Sequence, residues 1–83
     1  MRFRMTDHAR ARQEELHVPL EWIPRVLEAP ARQDSDPDDS ALTLASAPIA
    51  ELDGRVLRVV YNHEESPLMV VTLFFDRRMR GRL

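Results

Sequence analysis

The sequence predicts an α+β fold: a short N-terminal strand, two helices, then a three-stranded antiparallel meander with both helices packed on one sheet face. Three observations predict it. Apolar residues keep helical spacing between Leu20 and Leu27, they alternate or run on in Arg55–Asn62 and Leu68–Phe75, and turn residues punctuate the chain between these stretches. With 83 residues, 43% of them hydrophobic, the chain has material for one core and too little for two, so residues 1–83 read as a single domain.

Each element has its own warrant. Phe3 and Met5 alternate with Arg2 and Arg4, the period of a short strand with one covered face. Thr6 is placed to cap a helix by accepting a backbone N–H bond, and Asp7 suits the positive end of the helix dipole. That helix runs to about Leu16 with a thin buried stripe, Ala9 and Leu16. His17-Val18-Pro19 breaks it. The second helix begins near Leu20, with Ile23, Val26 and Leu27 at helical spacing and Trp22 beside Val26. Pro24 removes one helical bond and predicts a kink or a 3₁₀ start, and Pro30 follows the helix end.

Residues 33–40, QDSDPDDS, have no periodicity and nothing to bury, so they read as a flexible acidic loop. A strand follows over Leu42 to Ala47, marked by Pro48 as an edge or bulged strand, and Asp53-Gly54 suits a tight hairpin. In Arg55–Asn62, Leu57, Val59 and Tyr61 point one way and Val56, Arg58 and Val60 the other. The last strand, Leu68–Phe75, is apolar on both faces and reads as central in the sheet. Residues 77–83 form a basic tail with no buried pattern. The expected core is Ile23, Val26, Leu27, Leu57, Val59, Val70, Thr72 and Phe74.

No apolar run approaches the roughly 20 residues that cross a bilayer, and MRFRMTDHAR lacks the apolar stretch of a secretory signal, so a cytoplasmic protein without a membrane partner is expected. The absence of cysteine excludes disulfides and thiolate zinc sites; neither a metal nor another cofactor is expected. All twelve basic residues are arginine, and the net charge of −2 conceals an uneven distribution. Counting arginines less carboxylates, residues 1–12 carry +3, residues 13–28 carry −3, residues 29–53 carry −5 and residues 54–83 carry +3. The basic ends are candidates for an anion-binding face, although a nucleic-acid domain is usually basic as a whole.

Three segments together resemble the RelE/ParE-like toxin superfamily, and within it a domain family close to the BrnT toxins. Met5-Thr6-Asp7-His8-Ala9-Arg10-Ala11-Arg12 is similar to that branch's Ser/Thr-x-His-Ala-x-x-Arg start. Val18 through Leu27, followed by Ala29-Pro30, resembles its short second helix, with Pro19 where the pattern has a serine cap. Gly54-Arg55-Val56-Leu57-Arg58-Val59-Val60-Tyr61, with Val70-Val71-Thr72, resembles its Gly-Arg-x-Leu-Arg-Val-Val hairpin and Val-Thr strand. The resemblance spans nearly the whole chain. It implies a RelE-like fold and the toxin of a toxin–antitoxin pair, an endoribonuclease acting on mRNA either on the ribosome or free. An antitoxin is the implied protein partner, RNA or the ribosome the implied target, and a homodimer is compatible with it.

Cutting RNA by attack of its own 2′-hydroxyl needs a proton acceptor, stabilisation of the phosphorane, and a proton donor for the leaving oxygen. Arginine supplies only the stabilisation, because it does not deprotonate near neutral pH. Candidate catalytic residues are Arg58, Arg78, Tyr61 and His8, and candidate RNA-binding residues are Arg12, Arg77 and Arg80. The resemblance places the strand arginine and the post-strand arginines on the concave sheet face. His8 and Arg12, at i and i+4, either hold a phosphate or, for His8, anchor the helix to the sheet through a hydrogen bond. Arg58 either lines a wet groove or pairs with a carboxylate, since an unpaired buried charge is costly. Tyr61 either donates to or stacks on RNA, or belongs to the core with its hydroxyl at the rim. Two function classes follow: an RNA-cleaving toxin, and a non-catalytic protein-binding module of the same fold.

Overall fold

In the computed structural model, which describes residues 1–83, the elements are β1 (Phe3–Met5), α1 (Asp7–Glu15), α2 (Trp22–Glu28), β2 (Arg32–Ser35), β3 (Leu42–Ile49), β4 (Arg55–Asn62) and β5 (Leu68–Phe75). Short 3₁₀ turns cover Ala50–Leu52 and Arg77–Met79. The fold is α+β, with a five-stranded mixed sheet in the order β1-β5-β4-β3-β2. β1 pairs with β5 in parallel, and every other pairing is antiparallel. The sheet therefore extends the expected three strands at both edges.

The extra strand β2 corrects the reading of residues 33–40 as a flexible loop. Arg32–Ser35 pairs with Ser46 back to Thr43 along β3. Nothing in its composition favours a strand. The pairing is dictated by β3, whose open side offers backbone donors and acceptors, a tertiary context that overrides local propensity. It also takes β3 away from the sheet edge, contrary to the reading suggested by Pro48. The acidic turn proper starts at Asp36, whose Oδ1 accepts bonds from the backbone N–H groups of Asp38 at 2.8 Å and Asp39 at 3.0 Å.

The helices form where caps and apolar spacing direct them. Thr6 Oγ1 accepts a bond from the Ala9 N–H at 3.0 Å, capping α1, and donates its own proton to the Val71 carbonyl at 3.2 Å. α2 starts two residues later than its apolar spacing suggests. It is entered through bonds from Trp22 N–H to the Pro19 carbonyl and from Ile23 N–H to the Leu20 carbonyl, the tighter 3₁₀ pattern. Starting at Trp22 puts Pro24 in the first turn, where a missing N–H leaves no helical bond unmade. Trp22, Ile23, Val26 and Leu27 are all buried.

One apolar cluster joins Ala9 and the α2 residues to Ala45, Ala47, Leu57, Val59, Val70 and Leu73, with Phe75 and Tyr61 packed against it. The alternate spacing of the strand members puts them on one sheet face. Thr72 and Phe74, expected in the core, are outside it. Val60 pairs with Thr72 but Tyr61 with Val70, so Val71 is an extra residue in β5. That bulge reverses the alternation beyond it, turning Leu73 and Phe75 inward and Thr72 and Phe74 to the other face. The Thr6 hydroxyl satisfies the carbonyl of the bulged Val71, so one side chain both caps α1 and bonds the bulge of β5.

The basic tail also differs from expectation. After β5 the chain makes a 3₁₀ turn capped by Asp76, whose Oδ1 accepts from the Arg78 N–H at 3.0 Å, and Met79 is buried. This turn covers part of the sheet face that the helices leave bare. Asp53-Gly54 belongs not to a two-residue hairpin but to the exit of the Ala50–Leu52 turn, with Asp53 (φ 58°) and Gly54 (φ 84°) both left-handed. Glycine takes that conformation at no steric cost.

Candidate functional site

The face opposite the helices carries a polar row. Arg32 on β2, Ser46 on β3, Arg58 on β4 and Phe74 on β5 lie across from one another in register. Ser46 is small, which leaves the Arg58 guanidinium room to reach over β3. Arg58 Nη2 bonds Asp34 Oδ2 at 2.8 Å and its Nη1 bonds Asp76 Oδ2 at 3.2 Å. Its side chain is 13% exposed, Asp76 only 4% and Asp34 29%. The two readings of Arg58 are thus both realised: it pairs with carboxylates, and it lines a groove.

That groove, about 320 Å³, is bordered by Arg32, Arg58, Asp76, Arg78, Met79, Arg82 and Leu83. On the other side of the 3₁₀ turn lies a second groove of about 470 Å³, bordered by Arg55, Val56, Phe75, Asp76, Arg77 and Arg80. Seven of the twelve arginines line these two grooves. Their carboxylate partners are Asp34, Asp53 and Asp76. The chain, acidic as a whole, therefore has one basic pole.

Asp76 joins the grooves. Burial pushes its carboxyl pKa up, but the bonds from the Arg78 backbone N–H and guanidinium, with the charges of Arg78 and Arg58, outweigh burial and hold it below its ordinary value. It is a carboxylate at neutral pH and a weak proton acceptor. Two buried polar atoms, Arg58 Nε and Ser46 Oγ, have no hydrogen-bond partner. They are the cost of passing a guanidinium across the sheet.

The structure brings Arg58 and Arg78 to one groove and Arg77 and Arg80 to its neighbour. Tyr61 is elsewhere: it packs against the core below the helices, and its hydroxyl lies 3.5 Å from Gln33 Nε2. His8, in the first turn of α1, places Nε2 3.1 Å from Thr72 Oγ1, the helix-anchoring arrangement. Arg12 bonds Glu15 Oε2 at 3.1 Å in an exposed pair on the same helix. His63 Nδ1 meets Thr43 Oγ1 at 2.8 Å. No histidine borders either arginine groove, and no three His, Cys, Asp or Glu side chains come together as a metal site would need. The pole can bind anions and stabilise negative charge. The one carboxylate side chain lining the grooves is the tightly held Asp76.

Sequence reasoning weighed Arg82 with the other tail arginines as a phosphate contact but passed over Arg32, Arg55, Phe75, Asp34 and Asp76. The surplus of +3 in residues 54–83 pointed toward Arg55. Arg32 and Asp34 gave no such signal, because their place depends on β2 joining the sheet.

A family-wide comparison matches residues 5–75, from the last residue of β1 to the end of β5. The chain belongs to the DUF4258 family, described as a domain of unknown function. Neither proteins of curated function nor solved structures include a significant match. The DUF4258 segment holds Arg32, Arg55, Arg58 and Phe75, whereas Arg77, Arg78, Arg80 and Arg82 follow it. No helix of this DUF4258 chain is long and apolar enough to cross a membrane.

Proposed function

We propose that this DUF4258 chain is an RNA-directed domain of the RelE/ParE-like toxin kind, gripping the RNA phosphate backbone at its arginine pole. The observation that carries the reading is the gathering of seven of twelve arginines around two adjoining grooves in a chain of net charge −2. Such a concentration of cations draws polyanions and fixes their phosphates. The chain order of strand, two helices and the antiparallel run β3, β4, β5 accords with the resemblance on which the toxin assignment rests.

Arg78 is the natural phosphorane-stabilising group, being 87% exposed and beside the anchored Arg58. Neither arginine takes a proton, and Asp76 is held ionised between them, so the grooves bring no effective general base. Cleavage on the ribosome, where the complex supplies proton transfer, fits this arrangement better than cleavage by the free protein. A second reading draws on Asp34 and Asp76, which already occupy Arg58: acidic side chains fit the pole, as an acidic antitoxin segment or another protein partner would. In that reading the domain is a binding module without catalysis.

Induced expression in a host lacking any cognate antitoxin separates the two. The RNA reading expects growth arrest, with mRNA cut in the presence of ribosomes and intact in their absence, and loss of both effects in Arg78→Ala. Arg78 suits the test because it is exposed and its loss leaves Asp76 paired with Arg58, so stability should fall less than in Arg58→Ala, which would unsettle the fold. Harmless expression with intact RNA under both conditions would leave the binding module.

A further inference from the structure

The second groove has a feature that simple phosphate binding does not require. The Arg55 guanidinium lies over the Phe75 ring, 4.2 Å from its centroid. No carboxylate is within ion-pairing distance of Arg55 or Arg77, and Arg80 is engaged only by the fully exposed Asp53. Asp76 also borders this groove, but both its oxygens are turned to Arg58 and Arg78.

The backbone explains why these cations converge. Leu57 pairs with Phe75, and the Asp76 N–H still bonds the Val56 carbonyl at 2.9 Å, so β4 and the chain leaving β5 remain paired up to that point. There the chain leaves the sheet for the Arg77–Met79 turn, and Arg77 comes to border the same groove as Arg55. Like charges gathered in one groove repel unless an anion lies between them. Arg55 covers the Phe75 ring and is itself exposed, so its guanidinium is available to solvent as a stacking platform. Guanidinium planes and aromatic rings are the surfaces on which unpaired bases stack.

We propose that this groove is a nucleotide subsite: a base stacks on the Arg55–Phe75 platform and its phosphate sits between Arg77 and Arg80. The inference deepens the RNA reading above, since it makes the ligand single-stranded and places one base in the groove next to the phosphate seat of Arg58 and Arg78. A flat platform flanked by the unpaired Arg77 and by Arg80, whose one carboxylate partner is fully exposed, suits a base with its phosphate. An acidic peptide would need the cations but not the plane.

The test titrates the full chain with adenosine 5′-monophosphate, inorganic phosphate, adenosine, a hexameric oligoriboadenylate and poly-glutamate, following backbone amide shifts and affinities. The monophosphate is expected to bind about tenfold more tightly than phosphate, the worth of one stacked base, with shifts centred on Arg55, Phe75 and Arg77. Arg55→Gln should abolish that advantage while leaving phosphate binding in place. Arg77→Gln should weaken both. These side chains are exposed and outside the core, and melting curves of both variants should match the parent. Equal binding of monophosphate and phosphate, or an advantage that survives Arg55→Gln, overturns the subsite. If the hexamer binds and responds to Arg78→Ala but not to the Arg55 and Arg77 variants, the subsite falls and the RNA reading stands. If the monophosphate binds as described and the hexamer does not, the subsite stands and the RNA reading falls. Failure of every nucleotide to bind, or poly-glutamate binding as well as the hexamer, overturns both.

Discussion

The two faces of the sheet are built on different physics. Under the helices, Ile23, Val26, Leu57, Val59, Val70 and Leu73 are dry and contribute by removing apolar surface from water, an effect that depends little on pH or salt. On the other face, Val56 and Val60 are also buried, but between and beside them runs an ionic chain, Asp34–Arg58–Asp76–Arg78. A buried ion pair offers little net stability over a well-packed apolar replacement, yet breaking one is expensive. The comparison teaches that the second face is specified more than it is stabilised. Its charges hold Arg58 still and keep β2 in place, while the helix-covered face supplies most of the folding free energy.

The largest effects should come from the dry face. Leu57→Ala, at a fully buried position, should cost roughly 2 to 5 kcal/mol in denaturant unfolding, and the loss should be the same at low and high salt. A loss that shrank with added salt would break the contrast between the faces.

Arg58→Ala comes next, at roughly 3 kcal/mol, because it leaves Asp76 buried with only the exposed Arg78 beside it. The sharper experiment replaces Arg58 by Met together with Asp34→Asn and Asp76→Asn. Near-parental stability in that triple variant, with loss of anion binding, would establish that the network serves positioning; a stability loss equal to that of Arg58→Ala would show that the ions themselves stabilise.

Acid should act on the ionic face first. The folded-state pKa of Asp76 lies below its ordinary value near 3.8, so its contribution is fully present above that value and is lost as the pH falls through the lower folded-state pKa. Asp76→Asn should therefore lower stability at neutral pH and flatten its decline below about pH 4, as thermal melts across pH 2 to 7 would record. A decline as steep as the parent's would assign the acid sensitivity elsewhere, with Glu51 the next candidate, since the hydrogen bond from Arg25 holds its carboxyl down.

Smaller still is Asp34→Asn. Asp34 is partly exposed and its pair with Arg58 is screened, so stability should change by less than about 1 kcal/mol. Phosphate or RNA binding should strengthen severalfold, because an internal competitor for the Arg58 guanidinium is gone. Unchanged affinity, measured by titration at fixed ionic strength, would separate Arg58 from the binding surface. The smallest effect is expected on replacing residues 36–40 by a Gly-Ser link that spares β2, since loop length is thermodynamically cheap and the side-chain bonds lost are the exposed turn bonds of Asp36 and Asp39.

Much of the fold was legible because it follows from short-range chemistry. Thr6 caps α1 as its hydroxyl and place before Asp7 require, α2 buries the residues its spacing marks, and the alternation in Arg55–Asn62 assigns Leu57 and Val59 to the core and Arg58 to the other face. Arg58 and Arg78 could be chosen as site residues on the resemblance, and they do border one groove. For Tyr61 and His8 the sequence offered a packing role beside the chemical one, and the structure puts Tyr61 against the core and His8 on Thr72.

What the sequence by itself determined is whatever a few neighbouring residues control: the capped helix, the alternating strand, the surplus of arginine near one end. The tertiary structure decided the rest. Arg32–Ser35 is a strand because β3 had an open edge, β1 lies beside β5 because parallel pairing joins residues more than sixty positions apart, and Thr72 and Phe74 leave the core because one extra residue at Val71 reverses the pleat. The basic pole is likewise a product of register, which sets Arg32, Ser46 and Arg58 in a row and brings Asp34 and Asp76 to the same guanidinium. The physical reason is common to all of these: backbone groups pair with whatever partner the collapsed chain presents, and no local pattern of residues encodes which partner that is.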